Sequence, residues 1–339
     1  SEANQWQSVA YGNGVWVAVA AAGGDDRVMR SIDDGVTWTA VVLTGGLEAN
    51  SWESVAYGNG VWVAVADLGD NRVMRSINDG VTWTAVVLTG GLEANLWDSV
   101  AYGNGVWVAL SRSGDNRVMR SVTDGVTWGP VGVADGVAAN TWAGVAYGNG
   151  VWVAVSSDGD NRVMRSVTDG VTWIPVAAAA ASSWKTVAYG NGVWVAVAFY
   201  AAAGGGTNQV MRSVTDGVTW TAVAAAEANQ WQIVAYGNGV WVAVAATGGI
   251  NRVMRSVTDG VTWTAVAATQ ANPWTSVAYG NGVWVAVAAG GAKQVMRSVV
   301  ATTSASADPG VPGIFLTVAG PIGRSASQSP VYYGADRVS

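Results

Sequence analysis

The chain has 339 residues, half of them apolar, with 45 glycines, 20 tryptophans, no cysteine, no histidine and a formal net charge of -6. Without cysteine or histidine there are no disulfides, thiol nucleophiles, imidazole bases or ordinary zinc sites. The acidic balance argues against a nucleic-acid partner, which needs a basic stripe, and Gly, Asn, Asp and Arg interrupt every apolar run, so membrane insertion is not expected.

The chain opens at Ser1-Glu2-Ala3-Asn4-Gln5. No secretory signal is read there, which gives the expectation of synthesis in the cytoplasm. The unit W-x-x-V-A-Y-G-N-G-V-W-V-A then begins at Trp6 and recurs at Trp52, Trp97, Trp142, Trp184, Trp231 and Trp274, spaced by 46, 45, 45, 42, 47 and 43 residues. A period near 45 residues with β composition predicts a β-propeller with one blade per repeat.

Each repeat reads as four strands. W-x-x-V-A-Y leads through Gly-Asn-Gly, whose Asn-Gly pair supplies the positive φ angles of a tight hairpin, into V-W-V-A-V. The second strand is apolar on both faces, as suits a strand sandwiched between blades. V-M-R-S forms the third strand, and a short turn precedes the fourth, V-T-W-T-A-V. The fold class is therefore all-β: a seven-bladed propeller with four-stranded blades and a C-terminal appendage. Most of the tryptophans read as core between blades, because they recur at fixed positions and each buries a large ring. Those that open strand one lie near a rim and are the expected exceptions.

The turn between strands three and four carries a family resemblance. Ser31-Ile32-Asp33-Asp34-Gly35-Val36-Thr37-Trp38 resembles the Asp box of BNR repeats in sialidase-like propellers. The second copy, Ser76 to Trp83, has Asn78 at the usual Asp position, and later copies such as Ser121 to Trp128 have Thr there while keeping the next Asp. The resemblance implies structural turns at Asp33, Asp34, Asp79, Asp124, Asp169, Asp216 and Asp259, on the face opposite the family's usual binding site. Sialidase chemistry does not carry over with it. The arginines mostly repeat in place after each Met, where they could form ion pairs with neighbouring Asp residues. Four of the five glutamates lie in linkers or near them, and no unique carboxylate pair stands out for glycoside hydrolysis. The expectation is a protein that is not an enzyme.

Differences among the copies concentrate elsewhere. The linkers between strands two and three, and from strand four to the next blade, vary in length and content. In a propeller these share one face. Either that face meets a partner or its loops drift under weak constraint. Candidate ligand-binding groups are Asp70, Asn71, Asp115, Asn116, Asp160 and Asn161 in the G-D-N-R runs, beside Trp52, Trp97 and Trp142. These runs carry too few oxygens at fixed spacing for an EF-hand, so no metal and no cofactor is expected.

The seventh repeat lacks T-D-G-V-T-W after Ser298. Residues 313–319 match G-V-T-W-T-A-V, with Leu316 aligned to Trp, and are expected to complete that blade within a propeller spanning 1–320. Residues 321–339 form a tail, expected to contact another structural subunit or a second copy of the chain. The repeats resemble propellers of phage and bacterial surface proteins. The leading expectation is accordingly a binding or structural module, such as a virion decoration or fibre protein or a surface adhesion module meeting glycans or a host surface. The alternatives are a multivalent lectin and a glycosidase.

Overall fold

A computed structural model describes residues 4–24, 26–134, 137–298 and 315–317. Blade one is built from Gln5–Gly12, Val15–Ala22, Val28–Ser31 and Thr39–Val41, paired antiparallel in sequence order. The same four-stranded meander recurs in all seven sheets, and no helix occurs among the described residues. First strands of successive blades touch one another, and that of blade seven (Trp274–Gly280) touches that of blade one. Strand one is therefore innermost, and the sheets close into a ring around one axis.

The tight hairpin forms as its sequence predicts. Asn13 has φ 51° and Gly14 φ 79°, and the pair recurs in every blade with nearly the same angles. Two successive left-handed residues make the turn whose twist matches that of the flanking strands. Strand two supplies the core. Trp16, Val17, Ala18 and Val19 have no exposed surface, and neither do their counterparts in blade two. Val15, Val17 and Val19 of blade one pack against Trp52, Trp62, Ala64 and Met74 of blade two, so each hydrophobic layer belongs to two blades at once. Large indoles interdigitate with small Val and Ala at the density of a protein interior.

One glycine per blade sets the spacing of the inner strands. A Cβ placed on Gly58 would lie 2.0 Å from Cγ of Tyr102 in the next blade, and one on Gly280 would lie 2.1 Å from Cγ of Tyr11 across the closing joint.

Blade seven departs from the repeat in its outer strand. Phe315–Thr317 pairs with Val295–Ser298, with Arg297 opposite Leu316. In blade one the residue opposite the equivalent Arg30 is Thr39, the position after Trp38. Leu316 thus stands one residue beyond the Trp position to which the sequence aligns it. A tight Asp-Gly turn fixes register elsewhere, and the sequence of blade seven has none after Ser298. The rest of 313–319 and the tail 321–339 lie outside the described residues.

Candidate functional site at the loop end of the ring axis

The two faces of the ring use their polar groups differently. On the turn face, the Ser31 hydroxyl accepts from Gly35 N at 3.0 Å, Asp33 Oδ1 accepts from Thr37 N at 2.8 Å, and Trp38 Nε1 donates to Gly35 O at 3.1 Å. Burial pushes the Asp33 carboxyl up, but hydrogen bonds from Thr37 and Ser31 outweigh it and hold the group below its ordinary value. Asn78 Oδ1 accepts the same bond from Thr82 N at 3.0 Å, and Thr123 Oγ1 accepts it from Thr127 N at 2.9 Å. Asp, Asn and Thr are interchangeable here because the position needs a single acceptor.

The next residue joins the blades. Asp34, Asp79, Asp124, Asp169, Asp216 and Asp259 all adopt φ between 50° and 56°. Asp79 Oδ1 accepts from Asn13 Nδ2 of blade one at 2.9 Å, while Asp79 O accepts from Arg30 Nε at 3.1 Å. The same clasp links Asn59 and Arg75 to Asp124, Asn104 and Arg120 to Asp169, Asn149 and Arg165 to Asp216, and Asn191 and Arg212 to Asp259. Asn281 and Arg297 complete it on Asp34 across the closing joint. These arginines meet backbone carbonyls rather than the carboxylates with which ion pairs were expected, because the left-handed Asp turns its carbonyl toward the preceding blade.

On the loop face, the expected aromatic platforms are absent. Trp52, Trp97 and Trp142 have no exposed surface, and their indole N–H groups donate to Leu47 O, Leu92 O and Val137 O at 3.0, 3.0 and 3.1 Å. The incoming linker wraps each ring and takes up its one donor, so no ring face meets solvent. Asp70, Asp115 and Asp160 are exposed, one on each loop of blades two, three and four. Asn71, Asn116 and Asn161 are half-buried, and their backbone carbonyls accept from the Nδ2 of Asn50, Asn95 and Asn140, which brace the linkers. The structure does not draw these six residues into one site.

It does gather another set, which the sequence reading passed over. In blade two Trp52 pairs with Ala66 and Ser54 with Val65, which leaves Glu53 unpaired on a β-bulge. The residue after the opening Trp is bulged in every blade: Gln7, Glu53, Asp98, Ala143, Lys185, Gln232 and Thr275. Bulges re-aim a side chain out of the ladder, and they are common at barrel rims and beside active sites. At the end of strand two, Asp67 and Arg112 stand at equivalent positions in blades two and three. Arg112 Nη1 bonds Asp98 Oδ1 at 2.9 Å and Nη2 bonds Asp67 Oδ2, so one guanidinium bridges two blades.

Strand register sets Glu53 beside the end of strand two that carries Asp67, and Arg112 ties Asp67 to Asp98. Burial, then the charges of Asp67 and Asp98, push Glu53 up from its ordinary 4.5 to about 7, against a partial offset from Lys185 and Ser51. Burial also raises Asp98, in spite of Lys185 and Arg112. Arg112 is held above its usual value because Asp98 and Asp67 outweigh its own burial. Lys185 belongs to blade five, yet it acts on Glu53 of blade two and Asp98 of blade three. Its positive charge opposes the upward shift at both carboxyls. An asymmetric carboxylate cluster therefore exists, contrary to expectation. Its signal lay in the residue after each opening Trp, which changes charge while that Trp and the V-A-Y two residues further on repeat. No group of acidic residues among the described residues is arranged to hold a metal ion.

No family model matches this chain. No curated protein matches it either. Solved structures match along most of its length. YCF48 bound to a D1 peptide superposes with a TM-score of 0.67 at 15% identity, covering 90% of this chain and 94% of that one. Virginiamycin B lyase from Staphylococcus aureus gives 0.70 at 12% identity, covering 85% and 95%. The GH74 xyloglucanase from Xanthomonas campestris gives 0.63 at 19% identity, covering 87% of this chain and 52% of that one. These likenesses define the class as a seven-bladed β-propeller. At such identities they establish the fold alone.

Proposed function

We propose that this chain is a non-enzymatic binding or structural propeller that meets its partner on the loop face, with the charged end of the ring axis as the specific contact. The observation that carries this reading is asymmetry. The six clasps on the turn face repeat the same bonds, whereas the bulge positions carry Gln, Glu, Asp, Ala, Lys, Gln and Thr in turn. A propeller seen bound to a peptide supports a binding role for this fold. The turns keep the bonding of an Asp box, which supports the resemblance to BNR propellers, and the repeats resemble those of phage and bacterial surface proteins. On this reading the chain is a component of a virion or other assembled particle, or an adhesion module, joined to its neighbours by residues 321–339. Truncation after Gly320 is expected to leave a folded ring that no longer assembles, as read by sedimentation. Normal assembly of the truncated chain would show that the tail has no part in assembly.

A second reading rests on one observation. A carboxyl poised near 7, as Glu53 is, has the protonation behaviour of a general acid, and Asp98 stands near it. A glycosidase would then release fluorophore from a fluorogenic glycoside and lose this activity in Glu53→Gln. The expectation is no turnover by the unaltered protein. Turnover abolished by that substitution would replace the binding reading. A lectin, the remaining alternative, would need the exposed Asp70, Asp115 and Asp160 and would bind a glycan array through them, without aromatic stacking.

A further inference from the structure

We infer that the loop-side end of the ring axis binds an organic cation, an ammonium or guanidinium group, beside Glu53 and within the field of Asp67 and Asp98. This rests on the reading of that face as a binding face, and it names the chemistry recognised there.

The ring supplies its own control. Blade six carries Gln232 and Ala246 where blade two carries Glu53 and Asp67, and it forms the same four strands with the same bulge. The fold therefore does not need charge at these positions. Gathering carboxylates out of water is also unfavourable unless each is fully partnered. Here the partnering is incomplete. Asp67 is only 6% exposed, and its Oδ1 is buried without a hydrogen-bond partner. Glu53 accepts a side-chain bond from Ser51 at 3.2 Å. Arg112 is already engaged with Asp67 and Asp98, and Lys185 makes no ion pair among the described residues. Three carboxylates thus face two cations, with acceptor capacity left over. A cluster whose own charges leave a negative excess is complementary to a positive ligand group, and a site built at a cost to stability and not required by the fold is a functional candidate.

Lys185 gives the inference a sign that a merely structural cluster lacks. It sits on the bulge of blade five and its charge offsets that of the carboxylates, so its removal strengthens attraction for a cation and weakens attraction for an anion. Protons compete as well. The groups facing Glu53 are Asp67, Asp98, Lys185 and Arg112, and with its titration near 7 a cation is held by the ionised form.

The experiment titrates the full chain by calorimetry with agmatine, glutarate and 1,5-pentanediol, which present a cation, an anion and neither. Agmatine is expected to bind in preference to the other two, about tenfold more tightly at pH 8 than at pH 6. Glu53→Gln should weaken it by about tenfold at pH 8, and Lys185→Gln should strengthen it severalfold. Unchanged circular dichroism confirms that both variants are folded. Agmatine binding no better than pentanediol, or equal binding by Glu53→Gln, overturns the inference. Glutarate binding that is lost in Lys185→Gln also overturns it, yet leaves the loop face as a binding face. That broader reading fails separately, through glycoside turnover dependent on Glu53.

Discussion

The turn face and the loop face are built from the same seven repeats, yet they spend polar residues in opposite ways. On the turn face six Asp turns hold their polar groups with fixed partners, within the turn or in the preceding blade. Asp79 binds Asn13 through its carboxylate and Arg30 through its carbonyl, and five further Asp residues do the same. On the loop face the bulged residues differ in charge among blades, and Glu53, Asp67, Asp98 and Arg112 gather with one buried acceptor to spare. Repetition marks what the ring needs in order to close, and departure from it marks what the ring carries.

The comparison makes ordered predictions. The largest effect is expected at the inner spacing contact that the whole ring shares. Gly58→Val forces atoms into Tyr102, because even a Cβ would stand 2.0 Å from the ring. A loss of more than about 3 kcal/mol in chemical denaturation is expected. A variant as stable as the parent would show that the inner strands separate easily.

Next comes Glu53→Gln, which should stabilise. The folded carboxyl holds its proton up to about 7, whereas its ordinary value is 4.5. Between those values the folded state binds the proton more tightly than the unfolded chain, so stability falls as pH rises through that window. Asp98 is shifted in the same direction. The substitution should raise stability at pH 8 by up to about 3 kcal/mol and flatten the profile between pH 5 and 8. A melting curve at pH 8 no better than that of the parent would mean that the cluster is not under electrostatic load.

Asp79→Ala tests the clasp. It removes an inter-blade bond and puts a Cβ-bearing residue without an Asp side chain at φ 56°. The expected loss is about 1–2 kcal/mol. The smallest effect belongs to Thr123→Asp, which restores the acceptor found in blade one. Since Thr123 Oγ1 and Asp33 Oδ1 take the same backbone N–H at 2.9 and 2.8 Å, stability should change by less than about 0.5 kcal/mol. A larger shift would give the Asp of the first turn a role beyond turn formation.

The architecture was legible in the sequence because each of its causes is local and repeated. Asn-Gly dictates the hairpin, the apolar run of strand two dictates a buried strand, and the period dictates the blade. The site was less legible, for physical reasons. Trp52 stands at a strand start, where a rim position suggests exposure, but whether a linker wraps it depends on tertiary packing. Glu53 and Asp98 lie far apart along the chain, and each leaves its ladder only because a bulge in the inner strand turns the extra residue out. The notation W-x-x-V treated that residue as filler, although its charge changes from copy to copy. The clasp was half legible. The repeated Asn, Arg and Asp were visible, but the partner of each lies one blade further along, and no spacing within a repeat reports that.

The closing joint has a consequence for how copies of the molecule can meet. Each blade is made of strands consecutive in sequence, so no strand is lent across the seam between blade seven and blade one. That joint is held by side chains instead: Gln294 Nε2 on Asn4 O at 2.6 Å, Thr275 Oγ1 on Trp6 O at 2.6 Å and Asn281 Nδ2 on Asp34 at 3.0 Å. Most of its clasp and packing is shared with the other joints. A ring sprung open there presents two unlike but complementary edges, which is the geometry of a heterologous, head-to-tail contact. Whether such edges find each other or those of a neighbour is then a matter of local concentration, with self-closure favoured because both edges belong to one chain.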